Sequence, residues 1–365
     1  MARRLARALA WTVAVLAALV LVVAAVPALR SDVTAVEVLA ASAGRPLPWP
    51  FAHGVAVRRD VRLTAPGGGA VAGDLYVPGG GGPAVVLVPG AASPQDRRVI
   101  DVATAFARAG RTVFVPYLSL SRRVLDPADV GRIGDAVLAL ARAGGQGRGG
   151  RVGLLGFSYG GSLAIVAAEH RPAARSVAFV AVFGSYANLV DVIQGITTGS
   201  VSYRGRIVRW RTLAPARGLL LDAVLGLVPA GERAALRAAV DAGTTAGLSS
   251  EARSLAALLE NRDPARTASL VRALPARVRA RIAAVSPLPH LRDLRAPLFI
   301  MQSIHDPATP PTEADLLHAG VPGSRLIVLH EFLHVTPEGA GKGFLGAVAD
   351  LWGAWRFTGW VLGAE

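Results

Sequence analysis

Short, fully apolar runs alternate with longer amphipathic stretches through most of the chain after residue 54. The runs Ala84–Val88 and Val177–Val182 contain no polar residue, which is typical of strands buried on both faces of a parallel sheet. The stretch Ala128–Ala143 instead repeats its apolar residues at the spacing of one helix face. Alternation of this kind predicts an α/β fold, in which a mostly parallel sheet is flanked by helices.

Eight segments have the strand pattern and five have the helix pattern. We predict strands over Val55–Leu63, Val71–Val77, Ala84–Val88, Thr112–Val115, Arg151–Leu155, Val177–Val182, Pro297–Gln302 and Arg325–Leu329. We predict helices over Pro94–Ala109, Ala128–Ala143, Gly161–Ala168, Thr312–Ala319 and Gly343–Thr358.

The chain begins with an apolar segment that arginines precede. Ala8–Leu29 holds 22 residues without a charge, and a helix of that length measures about 33 Å, enough to cross the apolar core of a bilayer. Arg3, Arg4 and Arg7 should keep the N-terminus cytoplasmic by the positive-inside rule, with the rest of the chain outside the cytoplasm. This pattern favours an uncleaved, single-pass membrane anchor. A signal peptide cleaved near Val26–Ala28, which would leave a secreted protein, is the alternative.

The strand and helix alternation stops between residues 187 and 285, where the pattern is helical and irregular, and then resumes. An interruption of this length predicts a helical cap inserted into a sheet core. We therefore divide the chain into a cytoplasmic stub and transmembrane anchor (1–29), a linker (30–54), the first part of the core (55–186), the cap (187–285) and the second part of the core (286–365).

Arginine dominates the charge of the chain. The formal net charge is +14, and the cap contributes half of it with fourteen arginines and seven acidic residues. No helix-turn-helix, RNA-binding or zinc-finger pattern accompanies this charge, so we expect no nucleic-acid partner. We expect the basic cap to contact an anionic lipid surface; a general bias toward arginine is the alternative. The absence of cysteine excludes disulfides, thiolate catalysis and cysteine-ligated zinc.

The most informative motif is Gly156–Gly160, which lies between a predicted strand and a predicted helix. A small-x-Ser-x-small pentapeptide in this context is a nucleophile elbow, a turn so tight that its neighbours must be small. The turn presents the hydroxyl of Ser158 and directs the backbone N–H of Tyr159 at an incoming carbonyl oxygen. A glycine-rich turn with a solvated serine is the alternative.

A serine hydroxyl becomes a strong nucleophile only when a base accepts its proton and a carboxylate orients that base. Asp306 follows the strand predicted over Pro297–Gln302, and His334 follows the strand predicted over Arg325–Leu329. Since parallel strands end at one edge of a sheet, we predict Asp306 as the acid and His334 as the base. His330, nearly within the strand, is the alternative base, and a simple Asp-Pro turn is the alternative role of Asp306.

The two histidines also complete a His-Glu-x-x-His sequence, which binds zinc in metalloproteases. That site needs both histidines on one face of a helix, with Glu331 as the general base. Here Leu326–Leu329 is strand-like and Pro337 follows soon after His334. We therefore expect no metal site at this motif.

The loop after the strand Ala84–Val88 is expected to supply a second oxyanion donor, the backbone N–H of Ala91. With Gly156–Gly160, Asp306 and His334, residues 55–365 resemble the α/β-hydrolase superfamily, specifically its cap-bearing esterases and dienelactone-hydrolase-like members. The family commonly has His-Gly where this chain has Pro-Gly before Ala91. The resemblance implies that no metal or organic cofactor is needed.

These patterns together lead us to expect a membrane-anchored serine hydrolase with a small-molecule acyl substrate. Ser158, His334 and Asp306 would form a triad, with Ala91 and Tyr159 as oxyanion donors. Two alternatives remain open: a non-catalytic binding protein that keeps the same fold, and a lipase or acyltransferase that works at a membrane surface. The sequence does not distinguish esters from thioesters, amides or lactones.

Overall fold

The computed structural model describes residues 27–143, 150–170, 172–213, 215–335 and 344–364. The strands in these ranges are β1 Val55–Thr64, β2 Ala70–Pro78, β3 Ala84–Val88, β4 Thr112–Pro116, β5 Val152–Phe157, β6 Val177–Phe183, β7 Ser200–Tyr203, β8 Arg206–Arg209, β9 Leu298–Ser303 and β10 Arg325–Leu329. The α-helices are α1 Pro27–Ser42, α2 Arg97–Arg108, α3 Ala128–Ala143, α4 Tyr159–Glu169, α5 Leu189–Thr198, α6 Ala216–Val224, α7 Arg233–Ala242, α8 Ser250–Leu259, α9 Pro264–Ala273, α10 Ala276–Ala283, α11 Thr312–Gly320 and α12 Phe344–Gly363.

Eight strands form one sheet in the order β1-β2-β4-β3-β5-β6-β9-β10. The pairs β1–β2 and β2–β4 are antiparallel, and all the other pairs in this sheet are parallel. This confirms the predicted, mostly parallel sheet, and each predicted strand ends within two residues of its expected bounds. Because β3, β5, β6, β9 and β10 are parallel, the loops that follow them meet at one edge of the sheet.

The core has two layers, one on each face of the sheet. Along β3, Val86 and Val88 pack in the layer that contains α3, α4 and the cap helices. Val85 and Leu87 point to the other face and pack in the layer that contains α1, α2 and α12. Burial on both faces explains why the central strands have no polar residue.

The segment predicted as a linker, 30–54, is partly helical and belongs to the folded domain. Within α1, Ala35, Val38 and Ala41 are buried, and their three-residue spacing gives the helix one apolar face. The carboxylate of Glu37 accepts a hydrogen bond of 2.6 Å from Arg108 of α2. The prolines of this segment, Pro46, Pro48 and Pro50, come only after the end of α1.

The predicted transmembrane segment, Ala8–Leu29, lies almost wholly outside the described residues. No helix in the ranges that the structure describes combines the length and the apolar character that a membrane span requires.

The insertion between β6 and β9 holds α5 to α10 and the small antiparallel hairpin β7–β8. The hairpin corrects the expectation of a wholly helical cap, because its four-residue strands are too short for alternation to be recognised. Arg204 and Gly205 form its tip with φ of 48° and 75°. Trp210, directly after β8, donates its indole N–H to the backbone oxygen of Asp306 over 2.8 Å. The hairpin therefore connects the cap to the loop after β9.

A buried carboxyl group lies where the cap begins. Glu313 of α11 accepts hydrogen bonds at Oε2 from the backbone N–H groups of Ala187 (3.0 Å) and Asn188 (2.9 Å). Its Oε1 is buried and has no hydrogen-bond partner among the described residues. Burial and the nearby carboxyl of Asp191 raise the pKa of Glu313 to about 8.

Glu313→Gln is expected to stabilise the protein at alkaline pH. Between pH 4.5 and about 8 the folded chain keeps a proton that the unfolded chain has lost, so the free energy of unfolding falls as pH rises. Glutamine keeps the acceptor oxygen without the charge. The variant should therefore have a free energy of unfolding roughly 1–3 kcal/mol higher than that of the wild type at about pH 9. Urea unfolding at about pH 5 and about pH 9 measures the change. The control is Asp241→Asn, on the exposed surface of α7; equal pH slopes in the two variants would contradict the prediction.

Candidate active site

Ser158 is the turn residue between β5 and α4. Its backbone has φ of 53° and ψ of −135°, a strained conformation for a residue other than glycine. Its N–H donates to the backbone oxygen of Phe183 over 2.8 Å, and its backbone oxygen accepts from the Ser185 hydroxyl over 2.9 Å. The turn is therefore fixed through its main chain to the segment that follows β6, and the side chain is left for other contacts.

The glycines of the pentapeptide are required by close packing. A Cβ atom on Gly156 would lie 2.3 Å from the Cα of Gly161. A Cβ atom on Gly160 would lie 2.5 Å from the backbone nitrogen of Gly90 and 2.6 Å from the backbone oxygen of Val88. Distances this short exclude any larger residue without movement of the backbone. The small-x-Ser-x-small pattern thus reflects contacts of the elbow with its own helix and with the loop after β3.

Asp306 lies in the loop after β9, where it is buried and fully hydrogen bonded. Its Oδ1 accepts from the backbone N–H groups of Ala308 and Thr309, each over 2.8 Å. Its Oδ2 accepts from Gln302 Nε2 over 2.9 Å and faces His334 Nδ1 at 2.7 Å. Four contacts hold the carboxylate in one orientation, as an orienting acid requires.

His334 follows β10 and reaches Asp306 through a backbone conformation that is uncommon for a histidine, with φ of 55°. Because Nδ1 faces the carboxylate at 2.7 Å, Nδ1 carries a proton toward it and Nε2 is the nitrogen that remains available as a base. The structure therefore brings the predicted acid and the predicted base into direct contact.

The segment after β6 links this pair to the elbow. A Cβ atom on Gly184 would lie 2.9 Å from the His334 ring and 3.2 Å from Asp306 Oδ2. The residues on either side of Gly184 are Phe183 and Ser185, which hydrogen bond to the main chain of Ser158. The imidazole and the serine turn thus border the same three residues at the edge of the sheet. A side chain larger than hydrogen at position 184 would occupy the space of the imidazole.

The loop after β3 lies against the other side of the elbow. Gly90 adopts φ of 58°, and a Cβ atom on it would lie 2.7 Å from the Phe157 oxygen and 3.1 Å from the Ser158 Cβ. Ala91 follows on this loop and is exposed. The backbone N–H groups of Ala91 and Tyr159 therefore belong to the two segments that border Ser158, and Tyr159 begins α4, where the helix dipole favours negative charge.

The side chain of Tyr159 points into the core. Its ring packs edge to face on Tyr186, with 5.3 Å between the ring centroids. Burial, and secondarily the charge of Asp306, raise the pKa of Tyr159 far above its usual value. The phenol stays protonated, so the contribution of Tyr159 to a reaction would come from its backbone N–H.

Comparison with solved structures agrees with this architecture. Puromycin hydrolase is similar at a TM-score of 0.50 and 18% identity, over 88% of this chain and 40% of that chain. A puromycin-hydrolyzing peptidase of Mycobacterium tuberculosis is similar at a TM-score of 0.50 and 16% identity, over 88% of this chain and 41% of that chain. The chain has the α/β-hydrolase fold. It spans about two fifths of those two proteins, and its sequence matches no family model and no curated protein.

In this α/β-hydrolase fold the ring of the alternative base, His330, faces a carboxylate other than Asp306, with Nδ1 3.6 Å from Oδ1 of Asp350. Asp350 of α12 accepts hydrogen bonds from the backbone N–H groups of His330 (2.8 Å) and Glu331 (2.6 Å), and the His330 ring is 55% exposed. Residues 330–335 are not helical. The His-Glu-x-x-His sequence therefore lacks the helix that would place His330 and His334 on one face.

Three residues of the site were not identified from the sequence. Gln302 bonds Asp306 through its side chain, Trp210 bonds Asp306 through its backbone oxygen, and Gly184 leaves room for the imidazole. Gln302 was detectable in principle, because it is the one amide in the apolar strand β9 and a buried amide needs a partner. Trp210 and Gly184 act through the packing of segments distant in sequence, so no local pattern indicates them.

Proposed function

We propose that this protein is a serine hydrolase that cleaves a carboxylic ester or a related acyl bond. The observation that carries the proposal is the 2.7 Å contact between His334 Nδ1 and Asp306 Oδ2, next to a serine turn with φ of 53°. A strained serine turn that borders the same segment after β6 as a carboxylate-bound imidazole has no evident role in stability. It is the arrangement that nucleophilic catalysis needs.

In the first half of the reaction, His334 Nε2 would accept the hydroxyl proton while Ser158 Oγ bonds to the acyl carbon of the substrate. The carbonyl oxygen becomes an oxyanion, which the N–H groups of Ala91 and Tyr159 would stabilise. Asp306 would stabilise the imidazolium that forms. His334 then gives its proton to the leaving alcohol, and the acyl group remains on Ser158.

In the second half, a water molecule takes the place of the alcohol. His334 accepts a proton from the water as its oxygen bonds to the acyl carbon, and the same two N–H groups would hold the second oxyanion. Return of the proton to Ser158 Oγ breaks the acyl–oxygen bond and releases the acid. The cycle uses only groups of this chain, water and the substrate.

The N-terminal sequence supports a membrane-tethered form of this enzyme. Ala8–Leu29 is uncharged and long enough to cross a bilayer, and it overlaps α1 at residues 27–29, so the tether would enter the domain through a helix that belongs to its core. The arginines of the cap remain a second candidate contact with anionic lipid.

A fluorophosphonate probe tests the proposal, because it reacts covalently only with an activated serine. We expect intact-mass analysis to show one adduct and peptide mapping to place it on Ser158. Ser158→Ala should abolish labelling, whereas the control Ser254→Ala, a serine within α8 that bonds only to a carbonyl of its own helix, should not. A folded chain that is not labelled would instead indicate a non-catalytic binding protein with this fold.

A further inference from the structure

The N-terminal half of α12 has an exposed apolar surface that the proposed catalysis does not use. Leu345 is 81% exposed, Leu351 62% and Trp352 58%, and Val348 is also exposed. At the helical repeat, these four residues fall within roughly one third of the circumference of the helix. We call Leu345, Val348, Leu351 and Trp352 the apolar stripe. Contiguous apolar surface of this kind on a folded protein marks a contact surface.

Further along α12, the same face is covered by α1. The indole N–H of Trp355 donates to the backbone oxygen of Asp32 over 2.7 Å. A Cβ atom on Gly359 would lie 3.9 Å from Asp32 Oδ1. Trp355 lies four residues after Leu351 and three after Trp352, which places it on the same side of the helix. The stripe is therefore the uncovered continuation of the face on which α1 packs.

The two helices run in the same direction. Glu37, after Asp32 in α1, bonds to Arg108, and the backbone oxygen of Leu362, after Trp355 in α12, accepts a hydrogen bond from Arg111. Arg108 is the last residue of α2, and Arg111 follows it three residues later. The later residues of both helices therefore lie near the C-terminal end of α2. Two helices whose later residues lie together run parallel.

About three turns of α12 precede its contacts with Asp32, because Trp355 lies eleven residues after Phe344. In the parallel arrangement these turns lie on the same side of Asp32 as Leu29, the last residue of the uncharged run Ala8–Leu29. The apolar stripe therefore lies on the side of Asp32 where that run ends.

We propose that the apolar stripe enters the interface of a lipid bilayer beside the N-terminal segment. Because Trp355 and Gly359 both approach Asp32, the parallel helices place Trp352 within about one turn of Leu29, the last residue of the uncharged run Ala8–Leu29. Tryptophan favours the boundary between headgroups and acyl chains. Leu345, about two turns before Trp352, then lies on the apolar side of that boundary. Arg356, one turn further along and exposed, lies on the headgroup side, where phosphate groups can pair with it.

The charges of α12 agree with a lipid partner. Its described part contains two charged residues, Arg356 and Asp350. Asp350 is buried and accepts from the backbone N–H groups of His330 and Glu331, away from the stripe. No acidic group of the described helix therefore faces the proposed bilayer. The inference rests on the proposed membrane tether and does not depend on whether Ser158 is catalytic.

The absence of cysteine from the chain makes a site-specific test direct. A fluorophore is attached to Leu345→Cys or Val348→Cys in the full chain, reconstituted in vesicles of phosphatidylcholine and phosphatidylglycerol. The matched control is Ile207→Cys, which replaces an apolar residue 53% exposed on the cap hairpin. We expect a nitroxide on the lipid chains to quench the labels on the stripe severalfold more than the control label. We expect aqueous iodide to quench the control label more than the labels on the stripe.

Three results would overturn the proposal. Equal quenching of the stripe and control labels by iodide would mean that the stripe faces water. Protection of the stripe labels from both quenchers would mean that protein covers it, either the N-terminal segment or a second copy of the chain. A chain that does not float with the vesicles would contradict bilayer contact altogether. Hydrolysis of a soluble ester by the same labelled proteins is measured in parallel, so a failure of attachment is distinguished from a failure of catalysis.

Discussion

Ser158→Ala is expected to lower kcat on a cleaved ester by about four to six orders of magnitude, because it removes the nucleophile. The fold should survive the change. The hydrogen bonds of Ser158 to Phe183 and Ser185 run through its backbone atoms, which alanine keeps. Alanine also tolerates the positive φ about as well as serine does. A panel of p-nitrophenyl esters with graded acyl chains measures the loss, and thermal unfolding checks the fold.

A double variant sharpens this prediction. Groups that act in one chemical step are strongly non-additive, so Ser158→Ala combined with His334→Gln should lose little more than Ser158→Ala alone. Residual activity would come from the oxyanion donors and from substrate binding. If Ser158→Ala retained turnover within tenfold of the wild type, another group would be the nucleophile and the proposed mechanism would be wrong.

Asp306→Asn is expected to lower kcat by about four orders of magnitude while leaving the site geometry in place. The new amide keeps an oxygen for the N–H groups of Ala308 and Thr309, so its NH2 group replaces the Oδ2 that faces His334 and Gln302. An NH2 group donates hydrogen bonds and cannot accept one from Nδ1–H. The imidazole must then carry its proton on Nε2, where it can no longer act as a base toward Ser158.

Gln302→Leu provides the matched control for this variant. It removes one of the four hydrogen bonds to the Asp306 carboxylate. The charge of that carboxylate and the tautomer of His334 stay unchanged. We expect a loss of roughly tenfold in kcat. The dependence of kcat on pH separates the two variants. The leucine variant should keep the change in kcat that protonation of the His334 imidazole causes, whereas the asparagine variant should shift or lose it. Equal losses in the two variants would contradict an orienting role for Asp306.

Local patterning predicted the sheet well. The strands around the site are short and mostly apolar and alternate with amphipathic helices, so their ends were placed within two residues. The pentapeptide around Ser158 was equally visible, because steric crowding at Gly156 and Gly160 restricts the residues that the turn accepts. In both cases the cause of the pattern lies within a few residues, which is the range that a single sequence exposes.

The errors arose where structure depends on distant contacts. The sequence assigns most of α1 to a linker because Pro46, Pro48 and Pro50 follow it, yet α2 and α12 bury its apolar face. The hairpin β7–β8 was assigned to a helical region, although its hydrogen bond from Trp210 to the Asp306 loop gives it a definite place. Packing against other elements decided both structures and overrode the local pattern.

The order of strands and helices, the serine turn and the candidate acid follow from local sequence, because each depends on short-range sterics and on burial repeated along the chain. The contact partner of Asp306 does not follow from local sequence. His330 and His334 are four positions apart, and only the path of the loop after β10 brings His334 to the carboxylate. The same holds for the neighbours of the apolar stripe on α12. Contacts between segments that are distant in sequence are set by how the loops and layers pack on the sheet. No short stretch of sequence contains that information.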